Sequence, residues 1–370
     1  MRIGLGVVAG IAALAAAAGY LVAGPLTPPV GPVASSYRTL TEVEPRTPIS
    51  AATTPGDADS LFKITQPGSY YLTGNVAGVA GKSGIEIASS DVSIDLGGFE
   101  LRGVAGSLSG IVANIASGRG VSIRHGQIRG WGSSGIDCFT DFASGSFSDI
   151  RALENGGDGI RVGRDCTVIA CTATGNTGRG ILVSTNSTLR DCAASSNNVG
   201  FQLSGANTIT NCTSTQSVTF GIFGGAQCVI QDCSCFFSGT EGIVSDNGSH
   251  IVGNAVLGSG TNGVRVTYGC TVRENTLRQN GNSGVGAGIN VSGSNNRIDS
   301  NNCTFADRGI EVTNSGNFIT RNTCAANTAN YVIFVNNVCL VVNATLSPAI
   351  SGSSGGVSPG STDPNANFSF

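Results

Sequence analysis

The side chains able to do acid, base or ionic chemistry are few: 23 Asp and Glu, 20 Lys and Arg and two His in 370 residues. The best candidate cluster is Asp137 and Arg161 with Asp141, Arg164 and Asp165 in nearby turns. Carboxylates beside guanidinium groups suit two tasks. They can hold a sugar by charge-assisted hydrogen bonds. With a calcium ion, several carboxylates on one face and a cation near the proton alpha to a sugar carboxylate could support elimination. Asp137 and Arg161 are the candidate catalytic residues, and all five are candidate ligand-binding residues. The residues themselves call for no metal, and calcium enters only with the lyase reading. The bland alternative is a set of surface ion pairs, which are common and contribute little. His125 and His250 read as turn or surface residues. Phe223, Val244 and Phe236-Phe237 form a second candidate strip, for sugar stacking or protein contact, or ordinary exposed apolar residues.

These residues must be held by a repeat. A Gly followed by an apolar-x-apolar triplet recurs about every 21 residues at Gly159, Gly180, Gly200, Gly221, Gly242, Gly263, Gly288 and Gly309. Looser copies stand at Gly84, Gly110 and Gly135 with longer intervals, so insertions gather in the first coils. Aligned on that Gly, the next position is apolar throughout, from Ile160 and Ile181 to Ile310. A second apolar column runs through Val168, Leu189, Ile209, Ile230 and Ile251. Asn, Ser and Gly separate the apolar pairs, which is strand and turn chemistry rather than helical spacing. A unit of three short strands cannot bury its apolar side alone, whereas stacked copies at the ~4.8 Å strand spacing can. The expected fold is therefore all-β: a right-handed, single-stranded parallel β-helix of about 11–12 coils of ~21 residues. In this register Asp137 lies one coil from Arg161, in an outward column with Glu86, Val112, Leu182, Gln202, Phe223 and Val244.

Two polar columns fall at the turns. Cys171, Cys192, Cys212 and Cys233 continue as Asn254, Asn275, Asn301 and Asn322; Asn176 and Asn197 continue as Ser217, Ser238, Ser259 and Asn280. Both suit coil-to-coil ladders. Twelve cysteines in an exported chain would ordinarily suggest disulfides. In-register stacking spaces the Cβ atoms at about 4.8 Å, beyond the ~3.5–4.5 Å of a relaxed bridge. Buried free thiols are the expectation, with bridges inside one coil, such as Cys166 to Cys171, left open. No CxxC pair points to zinc.

Outside the repeat, Met1-Arg2 and the apolar run from Ile3 to Ala23 read as an export signal. Val22-Ala23-Gly24 offers small residues for cleavage, and the run is also about as long as the ~20 residues of a membrane anchor. The expected division is 1–24 signal peptide or anchor, 25–59 Pro-rich linker, 60–340 β-helix with 60–83 as its cap, and 341–370 a polar tail. The expected location is secreted, periplasmic or cell-surface, with membrane contact only through the amino terminus. A net charge of −3 supplies no basic field for nucleic acid.

Gly180-Ile181-Leu182-Val183 through Leu189-Arg190-Asp191-Cys192 to Asn197 resembles the coils of right-handed β-helix proteins: pectate lyases, polygalacturonases, alginate epimerases and NosD-type periplasmic proteins. Gly84-Ile85-Glu86-Ile87 with Val92-Ser93-Ile94-Asp95-Leu96 looks like the usual first coil. With its linker and tail, the chain also resembles exported β-helix proteins of planctomycete-type bacteria. The resemblance covers about residues 60–340 and implies the fold together with a polysaccharide partner. The hydrolase motifs Asn-Thr-Asp, Asp-Asp, Gly-His-Gly and Arg-Ile-Lys and the epimerase motif Asp-Pro-His-Asp are missing. The functional expectation is binding, or lyase-type cleavage, of acidic glycans; the alternative is a non-catalytic structural or adhesin-like surface protein.

Overall fold

The computed structural model describes residues 44–115, 117–281, 284–343 and 364–370. The expected signal or anchor segment lies outside them. The described elements are β-strands, mostly of three to eight residues. Three strands form each typical coil. The first strands stack as one parallel sheet of thirteen, from Ser60–Ile64 to Ala329–Ile333. The second and third strands stack beside them and join into one 26-stranded sheet. The junctions are Ser122–Arg129 and Ser146–Leu153, which run through both positions as continuous eight-residue strands.

Thirteen rungs exceed the expected eleven or twelve, because the repeat glycine is replaced at both ends. Strand register places Leu61 at the position of Gly84 and Asn330 at that of Gly309. Between these ends the glycine meets a demand for space. A Cβ added at Gly84, Gly159, Gly180 or Gly309 would lie 2.5–2.6 Å from the carbonyl oxygen of the equivalent residue one rung on.

Inside, columns of like residues touch along the axis. Ile85, Ile111, Ile136, Ile160 and Ile181 are fully buried, as are Ile123, Phe147, Val168 and Leu189 on the second face. Each such side chain removed from water contributes about 1.5–3 kcal/mol.

Three corners close each typical coil, and each uses a residue with left-handed φ followed by an inward side chain. At one corner Ala170, Asp191, Asn211 and Asp232 (φ 52–57°) precede the Cys171–Cys233 column. That column holds free, buried thiols, and all twelve cysteines of the chain are unbridged. Its asparagine continuation forms a hydrogen-bonded ladder. The Asn254 and Asn275 backbone N–H groups donate to Asn275 and Asn301 Oδ1, at 2.9 and 3.0 Å. The second expected ladder is also present, with Asn155 and Asn176 N–H donating to Asn176 and Asn197 Oδ1. A third ladder, which the repeat did not single out, runs through Cys166, Ser187 and Asn207 and later through Cys270, Asn296 and Asn317.

Both ends depart from the regular coil. Residues 46–59, read from composition as the end of the linker, pack on the first coil: Thr47–Pro48 pairs with Tyr70 and Tyr71, and Ile49 is buried. At the other end, within the expected tail, Asn367–Ser369 pairs with Thr323 and Cys324. Asn367 Oδ1 accepts from the Asn322 N–H at 2.9 Å, which adds a final rung to the asparagine ladder.

Candidate functional site

In the first sheet, the Ile-column residue and the residue two positions on point inward, and the one between them points out. Register aligns the outward residues Lys63, Glu86, Val112, Asp137, Arg161 and Leu182 in one column along the axis. Asp137 thus stands beside Arg161, one rung apart, as the repeat implied. The Arg161 Nη1 donates to Asp137 Oδ2 at 3.2 Å, and its guanidinium lies 4.5 Å from the centroid of the Phe139 ring. Asp158 approaches the other side of Arg161 at 4.0 Å and binds Arg179 at 3.2 Å.

At the amino-terminal end, Lys63 Nζ bridges Asp57 Oδ2 at 2.7 Å and Glu86 Oε1 at 2.9 Å. The Lys63 ammonium holds the Asp57 carboxyl well below the usual carboxylate range. In return, Asp57 and then Glu86 raise the Lys63 pKa. The Lys82 ammonium donates a hydrogen bond to the Asp57 backbone carbonyl. The only two lysines of the chain therefore meet at one loop. Asp57, Asp59 and Glu86 offer carboxylate oxygens within 4.8 Å of one another. Those are the residues that could hold a hard cation, and Lys63 would have to leave two of them first.

Between the Lys63–Glu86 and Asp137–Arg161 pairs the small Val112 leaves a groove of about 490 Å³, lined by Asp59, Glu86, Val112, Asn114, Ser133 and Asp137. Leu108, Ser109, Ala113 and Asn114, from the longer amino-terminal coils, complete its lining with Ser83. Farther along the column Phe223 stands next to Val244, and the Phe220 and Phe223 rings lie 5.5 Å apart. Val244 itself is buried. Phe237, by contrast, lies 57% exposed at a distant corner, apart from this strip.

The other expected site residues, placed by the repeat in nearby turns, do not line the groove among the described residues. Strand Ile136–Ala143 shifts register between Cys138 and Ala143. Arg164 and Asp165 lie in the turn after Arg161, at the corner that Asn186 and Ala206 repeat in later coils, paired at 3.6 Å and lining a different hollow. Asp141 belongs to the shifted strand, and its side chain lies outside the described residues. His125 is a corner residue with φ 57°, set between Asp95 at 3.3 Å and Asp149 at 3.7 Å, and His250 is exposed on the second face. Repeat reasoning did not single out Asp57, Asp59 or Lys63 as site residues. The available signal was the placement of both lysines of the chain around the first coil.

Residues 68–214 match a family model described as a right handed beta helix region. Comparison with curated protein sequences found no match. Among solved structures, the A-module of mannuronan C-5 epimerase AlgE6 from Azotobacter vinelandii superposes with a TM-score of 0.59. It is 14% identical, and the alignment covers 74% of this chain and 89% of that module. A mutant tailspike protein of E. coli bacteriophage HK620 gives a TM-score of 0.53 at 12% identity, covering 84% of this chain and 71% of the tailspike. At these identities the likeness is one of fold, and the fold is the right-handed parallel β-helix.

Proposed function

For this right-handed parallel β-helix we propose a polysaccharide-directed function, in which an acidic glycan lies along the outward face of the first sheet. The observation that carries the reading is the walled groove over Val112, with a carboxylate–cation pair at each end. Carboxylates and guanidinium groups are the usual partners of sugar hydroxyls and sugar carboxylates. The epimerase module named for mannuronan supports the substrate class through its shared fold. Phe220 and Phe223 extend the same face as an apolar platform for a sugar ring. An exported location, as the amino-terminal segment suggests, would give the chain access to such polymers.

Binding is favoured over turnover. Glu86 is engaged by Lys63 and Asp137 by Arg161. Elimination would require calcium to displace Lys63 from the carboxylates and Asp137 to be released from Arg161. The same commitment to internal pairs favours, as second reading, a non-catalytic surface protein. The test is incubation of the purified protein with uronic-acid polysaccharides and calcium, following unsaturated product at about 235 nm, the absorbance expected of an elimination product, alongside pull-down. The expected result is pull-down that weakens in Arg161→Ala, without growth of absorbance. Absorbance growth lost in Arg161→Ala would instead establish a lyase. Silence in both assays would favour the structural surface protein.

A further inference from the structure

We propose that the hollow at the corner beside the groove is an anion subsite that reads a carboxylate of the bound glycan; this rests on the polysaccharide reading above. Arg119 bridges to Ala143, and Ala143 stands in register with Arg164. The corner therefore stacks Arg, Ala and Arg along the axis, with the arginine Cα atoms about 10 Å apart by rung spacing. The single methyl of Ala143 between two long cationic side chains leaves a hollow of about 380 Å³, whose other lining side chains are Ser117, Ser144 and Asp165. These three adopt left-handed φ of 57°, 59° and 55°.

The charge balance favours an anion. The lining carries two guanidinium groups against one carboxylate. Arg119 is exposed and makes no ion pair among the described residues. Arg164 is 65% exposed, and its contact to Asp165, at 3.6 Å, is longer than a hydrogen bond. Guanidinium forks match the planar carboxylate in both shape and charge, and the Ser117 and Ser144 hydroxyls add donors. Polymer rather than free anion follows from position. Asn114 lines the groove and Ser117 lines the hollow; three residues of chain span at most about 10 Å. A glycan lying over Val112 can place a neighbouring uronate or a branch there.

The experiment is calorimetric titration of the full chain with a uronate oligomer and with the same oligomer after reduction of its carboxyl groups. The expected result is tighter binding of the uronate. Arg119→Gln/Arg164→Gln should weaken uronate binding about tenfold or more, the scale of one lost charge-assisted hydrogen bond, and leave the reduced oligomer unchanged. Asp165→Asn should tighten uronate binding. Both variants sit on exposed positions, and an unchanged thermal midpoint confirms that they fold. Equal binding of both oligomers, unaffected by the arginine variants, overturns the subsite while the polysaccharide reading stands. Failure of the native chain to bind either oligomer overturns both.

Discussion

Replacing Asn275 by Ala tests what holds successive coils together. Asn275 is 1% exposed. Its Oδ1 accepts the Asn254 backbone N–H at 2.9 Å and the Asn254 side-chain amide at 3.0 Å, and its own amide donates to Ile251 O at 3.0 Å and Asn301 Oδ1 at 2.9 Å. The Asn254 amide keeps a second acceptor, Ile230 O, and the Asn275 backbone keeps Asn301 Oδ1. Truncation thus strands the Asn254 N–H, removes a donor from Ile251 O and opens a small hole. An unpaired buried backbone donor costs about 1–3 kcal/mol; with the lost donor and the hole the sum is about 3 kcal/mol. Cys212→Ala, in the same column, removes weaker sulfur contacts, to Thr210 O at 3.3 Å, from Cys192 N at 3.4 Å and with the Cys192 and Cys233 thiols, and should cost about 1–2 kcal/mol because sulfur is a weak acceptor and donor. Urea unfolding followed by circular dichroism measures both. Trp131, the single tryptophan and 1% exposed, reports from the other half of the solenoid. If its fluorescence transition coincides with the circular dichroism, the coils unfold together. A loss below about 1 kcal/mol for Asn275→Ala, or no larger than for Cys212→Ala, would refute the ladder's role.

Gly180→Ala should destabilise by about 1–3 kcal/mol through overpacking, because its Cβ would stand 2.6 Å from Gly200 O and 2.7 Å from Asn197 Nδ2; thermal unfolding checks this. For Asp299, burial raises the pKa but the hydrogen bonds from Arg321 and Arg297 outweigh it, leaving it at about 2. A depressed folded pKa means stability present above the unfolded value of about 3.9 and lost as pH falls toward 2, about 1 kcal/mol after solvent screening. Asp299→Asn should flatten the stability curve in that window, measured by urea titration at stepped pH. Burial raises the thiol pKa of Cys138, Cys235 and Cys303, and pushes Cys339 up to about 11. Eleven of the twelve thiols are buried, so a thiol reagent at pH 8 should label them slowly in the native chain and all twelve cysteines after unfolding; rapid native labelling beyond the half-buried Cys339 would contradict the buried columns.

The solenoid was legible because its cause repeats. The glycine column records the close approach of each rung to the next, and the Ile and Val columns record the interior, so register and the Asp137–Arg161 pairing followed directly. Where the cause does not repeat, legibility ended. The terminal rungs carry Leu61 and Asn330 in place of glycine, so spacing alone passed over them. Lys63 binds Asp57, which sits in a Pro-rich segment whose composition reads as linker; only folding of residues 46–59 onto the first coil brings them together. Arg164 and Asp165 were expected in turns near Asp137 and Arg161, and the left-handed corner at Asp165, repeated at Asn186 and Ala206, places them there. There Arg119, distant in sequence, is the residue that completes the hollow.

The most direct test of the proposed glycan site is a crystal structure of the chain with a bound uronate oligomer. Sugar density is expected along the first sheet over Val112, between Glu86 and Asp137, with a carboxylate reaching toward Arg119 and Arg164. Sugar bound instead on the outward face of the second or third strands, with the groove over Val112 empty, would contradict it.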